Sequence, residues 1–453
     1  MTKPNILILL SDQHRFCDLG CYGNKEVITP HFDAFAAQAV RFSQCISNSP
    51  LCVPARASLL TGLAPHKHRA ITNDLPVDTS CASIATVLNR QGYQTGYIGK
   101  WHLGGIPRDK PIDTSCRLGF SEWKAANCHH QYHRGFYFDE ENQRHEIEGY
   151  EPIAQTDLAI DFMSRNQEKD WCCVLSFGPP HDPYLDVPDR YLDLYRDCDL
   201  TFRGNVPDVI LQRTGVELDR QQLLEFYRGY YAHITALDEQ FGRIIASLKQ
   251  SGQLDKTIIV YTSDHGDMLG SQGYLNKQLP FDEAIRVPLM IRYGNKTFCG
   301  VQNGLISLMD LPVSLLGLAG CAFDRPVDGH DLHNLFIDPL ADGLKQAYIL
   351  DSVPCHQSYQ RGGTEWRGLR TERYTYARSA DGAVCWLYNN IDDPLQQNDL
   401  SYRADLRTPL EESLQKLVAQ HDEFLPWDSY IRKYGFRDEW NRSQTYFNLP
   451  IEV

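Results

Sequence analysis

The chain has 453 residues, 42% of them hydrophobic and 23% charged, which permits a large core and, by length alone, two or three domains. Its 58 acidic against 44 basic residues give a formal charge of −14, which argues against a nucleic-acid or anionic-membrane surface as the main partner. No run approaches the roughly 18 apolar residues of a membrane span, and a local basic pocket for one small anion stays compatible with the balance.

Asn5 to Leu10 is an apolar run predicted to form the first strand. With Lys3 before it, it could be mistaken for a secretory leader, but it is too short and no small-residue cleavage site follows. A cytoplasmic location is expected, or a periplasmic one if a leader has been removed. The fourteen cysteines, Cys172 and Cys173 adjacent among them, show neither zinc-finger spacing nor a disulfide-rich pattern and are expected as reduced, mostly buried thiols.

Further along, helices are predicted near Phe32 to Val40, from Cys52, and near Ser83 to Gln91, followed by a strand over Thr95 to Ile98. The order repeats with a helix over Gln155 to Asn166, a strand over Cys172 to Phe177, a long helix over Gln221 to Leu248 and a strand over Thr257 to Thr262. Short apolar strands alternating with amphipathic helices predict an α/β fold, with a large mixed, mostly parallel sheet covered on both faces. From about Ala347 the texture changes to short strands at Tyr348 to Leu350, Trp366 to Arg370, Tyr374 to Ala377 and Val384 to Tyr388, then a helix over Pro409 to Ala419. This reads as a smaller antiparallel sheet with a packing helix, and divides the chain into a domain over 1–345 and a subdomain with tail over 346–453. The aromatic and charged stretch from Trp427 to Val453 is expected to wrap the body or a neighbouring subunit, which leaves a homo-oligomer open.

Ligands gather beyond the carboxyl ends of strands in such sheets, and each predicted strand ends in a polar cluster. Asp12 and Gln13 follow the first, Lys100 and His102 another, His181 and Asp182 a third, Asp264 and His265 a fourth. All four should converge on one edge. Asp12, Gln13, Asp264 and His265 offer enough oxygen and nitrogen donors for one divalent cation. His181 follows Pro179-Pro180, and its ordinary pKa suits proton donation to a leaving group.

The run Leu51-Cys52-Val53-Pro54-Ala55-Arg56-Ala57-Ser58-Leu59-Leu60-Thr61-Gly62 reads as a helix opened by a cysteine. Pro54 suits a first turn and Gly62 a stop. Cys52 then sits at the positive end of the helix dipole, with Arg56 close by to favour an anion. A buried helix-start cysteine with no further role is the plain alternative.

Cys-x-Pro-x-Arg followed by Ala-Ser-Leu-Leu-Thr-Gly resembles the signature of type I sulfatases, of the alkaline-phosphatase-like superfamily. Gly99-Lys100-Trp101-His102-Leu103-Gly104 resembles a second motif of that family, as does Phe281 to Pro288 following Lys277. The resemblance runs from Asp12 to about Leu400. It implies that a maturation enzyme converts Cys52 to formylglycine, whose hydrated gem-diol attacks sulfur. It further implies that Asp12, Gln13, Asp264 and His265, with residue 52, hold one divalent ion, calcium first, with manganese, iron or zinc also open. Arg56 would brace the nucleophile and ligands, Lys100 and Lys277 offset charge on sulfate, His181 protonate the leaving alcohol, and His102 take a proton as sulfate is expelled. Gln13 and His265 depart from the many relatives that carry Asp and Asn there, which lowers the site's charge and hardness.

The expected reaction is hydrolysis of a sulfate monoester, carbohydrate or other small organic sulfate, to an alcohol and inorganic sulfate. A formylglycine-dependent phosphonate monoester or phosphodiester hydrolase of the same superfamily is the alternative, since it shares the Asp, Gln, Asp, His set. A non-catalytic binding protein on the same fold is the third reading. His133, in the histidine-rich Asn127 to Arg134, and His356, Trp366 and Arg367 are candidates for substrate contact, although Trp366 to Thr371 also resembles a structural element of the family.

Overall fold

The computed structural model describes residues 3–211, 217–360 and 362–447. Its centre is a ten-stranded sheet. In chain order the strands are β1 (Asn5–Asp12), β2 (Val40–Phe42), β3 (Gln94–Lys100), β4 (Glu122–Ala126), β5 (Phe136–Phe138), β6 (Arg144–Glu146), β7 (Trp171–Pro180), β8 (Thr257–Ser263), β9 (Leu289–Arg292) and β10 (Gly300–Gln302). Across the sheet they run β10-β2-β9-β8-β1-β7-β3-β4-β5-β6. The five central strands, β8, β1, β7, β3 and β4, pair in parallel. β9, β2, β5 and β6 join through antiparallel ladders at the margins.

Alternate residues of β1 enter two different cores, the direct consequence of the two-residue strand period. Leu7 and Leu9 join Phe32 and Phe35 of α1 (Pro30–Ala36), Ala159 and Phe162 of α4 (Glu151–Arg165) and the apolar face of α5 (Arg220–Gln250). Ile6, Ile8 and Leu10 join Val53, Ala57 and Leu60 of α2 (Cys52–Thr61), the Ile84 to Leu88 face of α3 (Ile84–Arg90) and Leu311 and Leu315 of α6 (Leu311–Leu318). The adjacent cysteines follow the same rule, Cys172 in the second core and Cys173 in the first.

Gly99 is required where it stands in β3. It has φ 100°, and a Cβ there would lie 2.0 Å from the Ser176 carbonyl oxygen of β7. Only glycine allows the two strands to approach beside Lys100.

A four-stranded antiparallel sheet, β11 (Ala347–Asp351), β12 (Trp366–Arg370), β13 (Tyr374–Ser379) and β14 (Cys385–Asn389), follows in sequential order. One face packs on α7 (Ala404–His421) through Tyr348, Leu350, Leu369, Tyr376 and Leu414. Its other face meets the body through Ile349, Trp366 and Ala377 against Ile46 and Ile285. The chain then forms α8 (Trp427–Lys433) and α9 (Arg437–Tyr446), whose Tyr430, Ile431 and Trp440 pack on Ile71 and Leu75. The tail expected to wrap the body does so up to Phe447; 448–453 lie outside the described residues.

The helix expected over Phe32 to Val40 ends at Ala36, because Val40 and Phe42 are taken by β2. Tertiary pairing overrides the local periodicity there. Among the described residues no helix is long and apolar enough to cross a membrane.

Candidate active site

Four strand ends and the start of α2 meet at one buried centre. β1 delivers Asp12, which is 0% exposed. Gln13 follows at φ 67°, and its N–H donates to Asp264 Oδ1 at 3.1 Å, joining the ends of β1 and β8. Asp264 Oδ1 also accepts the His265 N–H at 2.9 Å. The His265 Nδ1 lies 2.9 Å from the Gly266 carbonyl oxygen, which makes Nδ1 a donor and leaves Nε2 facing Cys52. Cys52 Sγ is 3.1 Å from that nitrogen and 3.8 Å from Asp12 Oδ1.

Cys52 is the first residue of α2, after Leu51 in extended geometry without a side-chain cap. Asn73 supplies a cap from another loop, its Oδ1 accepting the Val53 N–H at 3.2 Å. Burial and Asp12 raise the Cys52 thiol pKa, but Lys277, Lys100 and His265 outweigh them and bring it below the ordinary value.

Arg56, one turn into α2, is 1% exposed and spends its guanidinium on four acceptors. Nε donates to Asp264 Oδ2 at 2.8 Å, Nη2 to Asp12 Oδ2 at 2.8 Å, and Nη1 to the Lys100 carbonyl at 2.9 Å and Ser176 Oγ at 2.7 Å. The fork geometry of a guanidinium is what allows one side chain to hold two carboxylates side by side. Burial alone would lower its pKa, yet Asp264 and Asp12 hold it well above the ordinary value.

Lys100 Nζ pairs with Asp12 Oδ2 at 2.7 Å. His102 sits in the left-handed region at φ 62° rather than in the extended geometry expected of a Lys-x-His pair on a strand. The reason is that Trp101 and His102 continue the ladder to Ala126 and Asn127 while the chain turns. Both His102 ring nitrogens are buried without a hydrogen-bond partner among the described residues. Burial, then Lys100, Arg108 and Arg56, push its pKa well below the ordinary histidine value.

Lys277 sits between Asn276 and Gln278, both at positive φ, in a loop pinned by Asp267 accepting the Asn276 N–H at 3.0 Å. Its Nζ donates to Gln13 Oε1 at 2.5 Å and lies 2.7 Å from His181 Nε2. His181 Nδ1 meets the Asp182 carbonyl at 2.7 Å, so its Nε2 is the acceptor for Lys277. Burial, then Lys277 and His130, push the His181 pKa well below the ordinary value. His130 stacks on it at 4.5 Å.

Two formal negative charges, Asp12 and Asp264, thus face three formal positive ones, Arg56, Lys100 and Lys277, in a centre shut from solvent. An anion is favoured there. The donor atoms of Asp12, Cys52, Asp264 and His265 all lie within 4.8 Å of one another, a set of two carboxylates, an imidazole and residue 52 that fits one divalent ion. Gln13 plays a double part. Its Nε2 donates to Asp267 Oδ2 at 2.7 Å, and its Oε1, which accepts from Lys277, is the atom it would offer to an ion.

The outlying candidates behave differently. Trp366 is 1% exposed, its indole N–H given to the Gln278 carbonyl at 3.1 Å. Arg367 is fully buried, paired with Asp422 and bonded to the Asp351 carbonyl and Tyr430 hydroxyl. Trp366 thereby ties the C-terminal sheet to the body, as does Arg367 through Nη2 at 3.2 Å from His66 Nε2, so both have structural partners beside any substrate role. His133 is half-buried against Asp186 at 2.7 Å, and His356 stacks on Phe447 at 4.4 Å. Ser176 and His130 were not singled out. A serine within the apolar run of β7 is the signal that marks the first, since a buried polar group needs a partner.

Comparison with known proteins agrees with this geometry. The family model described as Sulfatase matches residues 4–321. An ulvan-active sulfatase of Formosa agariphila is 36% identical over 446 residues, covering 96% of this chain and 85% of its own. Among solved structures, a Bacteroides fragilis protein assigned to the sulfatases, yidJ, superposes with a TM-score of 0.84 at 27% identity, covering 95% of this chain and 98% of the other. The phosphonate monoester hydrolase of Agrobacterium radiobacter superposes at 0.76 with 23% identity over 92% and 96% of the two chains, a likeness of fold. With an anion-seeking centre built around the Cys52 helix and a family match over most of its length, the chain belongs to the sulfatases and is a sulfuric ester hydrolase.

Proposed function

We propose that the chain desulfates a saccharide sulfate monoester, with Cys52 in its formylglycine form and one calcium ion at Asp12, Gln13, Asp264, His265 and residue 52. The observation that carries this reading is the contact of Cys52 Sγ with His265 Nε2 at 3.1 Å, inside a ring of Arg56, Lys100 and Lys277. The ulvan-active name of the relative supports a saccharide as the alcohol.

Formylglycine would supply an oxygen nucleophile where Sγ stands, and an ion held by Asp12, Gln13, Asp264, His265 and residue 52 would supply positive charge to the sulfate. The chain's own groups do the rest. Arg56 keeps both carboxylates oriented. Lys100 and Lys277 offset charge building on the transferring group, in a buried centre where such charges act strongly. Lys277 donates a hydrogen bond to His181 Nε2, and this pair is the proton source for a leaving oxygen. His102, whose two ring nitrogens have no hydrogen-bond partner among the described residues, is the group placed to accept one when sulfate departs and its own charge is offset by the anion. Because Cys52 is 1% exposed, a maturation enzyme must reach it before the chain closes.

Mass spectrometry of the Cys52 peptide from active protein, with metal analysis, tests the reading. An unmodified thiol in active enzyme refutes the nucleophile, and manganese, iron or zinc at full occupancy replaces calcium. A side activity on phosphonate monoesters is a second reading, favoured by Gln13 and His265 in place of harder ligands. Relative rates on an aryl sulfate and an aryl phosphonate monoester decide it.

A further inference from the structure

On the His102 side of the centre three distant segments meet. Asp74, buried at φ 69°, receives Arg108 through two parallel bonds, Nε to Oδ1 at 2.7 Å and Nη2 to Oδ2 at 2.9 Å. The same Asp74 Oδ1 lies 3.9 Å from His102 Nε2, which sets the pair next to the reacting groups. The Arg108 guanidinium carbon is 4.8 Å from the centre of the Phe447 ring. His356 stacks on Phe447 at 4.4 Å and 18°. This meeting is built into the fold, because α8 and α9 are anchored on Ile71 and Leu75, the residues that flank Asp74.

We propose that Asp74, Arg108 and Phe447 form the subsite for the leaving alcohol, and that its occupant is a polyol of sugar type. The inference rests on the sulfatase reading above and names the residues that read the group on the far side of the sulfate. A carboxylate and a guanidinium locked in one plane present acceptors and donors side by side. Each Asp74 oxygen has one bond from Arg108 and retains lone-pair capacity, and Arg108 Nη1 makes no hydrogen bond among the described residues. Adjacent hydroxyls of a sugar ring, each donor and acceptor, match such a pair, whereas an aryl alcohol has nothing to offer it. Phe447, half-buried at the end of α9, closes the subsite from the C-terminal side and limits the size of ring that enters. His356 braces Phe447 from behind, which gives this sequence candidate a positioning role.

The test compares specificity constants of the matured enzyme on two kinds of probe, 4-nitrophenyl sulfate and a set of monosulfated hexoses, 6-deoxyhexoses and hexosamines. The aryl ester reports the reaction itself. Asp74→Asn and Arg108→Gln are expected to lower the ratio of sugar to aryl kcat/KM about 10- to 100-fold, the loss of a hydrogen bond to a charged group. Phe447→Ala, with its fold checked by circular dichroism, is expected to shift the ranking toward bulkier sugars at least about fivefold. Ratios within threefold of wild type in all three variants overturn the proposal. So does a wild type that cleaves the aryl ester and no sugar sulfate, an outcome that leaves the sulfatase reaction standing.

Discussion

Arg56→Lys keeps the charge at the centre and removes the fork. An ammonium group at the end of a flexible stem cannot span both carboxylates, the Lys100 carbonyl and Ser176, which Arg56 reaches at 2.7–2.9 Å. At least two bonds to buried charged groups are lost, at about 1.5–3 kcal/mol each, or about 3–6 kcal/mol together. Breaking a buried ion pair costs about 3–5 kcal/mol, which agrees. For a chain of 453 residues the unfolding entropy scales to about 1 kcal/mol per degree, so the melting temperature should fall by about 3–6 °C. The carboxylate that the ammonium no longer reaches, left without its charged donor, also makes a cation more welcome. Thermal scans with chelator and with millimolar calcium should therefore show a larger calcium-induced rise in the variant than in the wild type. A variant that melts within 1 °C of wild type under both conditions refutes the argument that Arg56 holds the two carboxylates together.

Removing the nucleophile by Cys52→Ala should lower turnover on the order of 10³- to 10⁶-fold, read on 4-nitrophenyl sulfate with the fold checked by circular dichroism; activity above a tenth of wild type would falsify its role. His181→Asn, which removes the acceptor that orients the Lys277 ammonium, should cost about 10²- to 10⁴-fold on a poor alkyl leaving group and much less on 4-nitrophenol, which departs without a proton; equal losses on both would remove the Lys277–His181 pair as the proton source. Burial pushes the Glu151 carboxyl, at the start of α4, up to about 8, from an ordinary value of 4.5. The folded protein then keeps a proton that the unfolded chain releases, so this contribution is complete below about pH 4.5 and is lost as pH rises to 8, at up to ~1.4 kcal/mol per unit. Glu151→Gln should converge with wild type near pH 4.5 and exceed it increasingly toward pH 8 in melting temperature, and parallel curves would dismiss the effect.

The central strands and their polar ends were legible because a strand buried on both faces writes itself as an unbroken apolar run, and a ligand-binding end interrupts that run abruptly. Asn5 to Leu10 followed by Asp12 is such a case, as is Thr257 to Thr262 followed by Asp264. The marginal strands were not legible. Val40 to Phe42 and Gly300 to Gln302 have three residues each, too short for a period, and exist through their pairing. Within the site, residues recognised by pattern came together, while Asp74 and Arg108 gave no signal because a two-pronged ion pair depends on loops 34 positions apart in the chain. Trp366 and Arg367 pose the opposite difficulty, being open to a ligand reading and a structural one alike. Large polar-tipped side chains look like ligand contacts in sequence, and serve equally well to fasten one sheet to another.

The burial of Cys52 carries a kinetic consequence. On the proposed formylglycine reading, a Cys52 still unmodified when α2 is sealed between the sheet and α6 is out of reach, and a molecule that folds first keeps sulfur where that reading needs an aldehyde. Two rates then compete on every nascent chain. The fraction of active molecules in a preparation becomes a clock reading of folding against modification, set by expression temperature and by the supply of the modifying enzyme, and no later treatment of the folded protein restores the remainder.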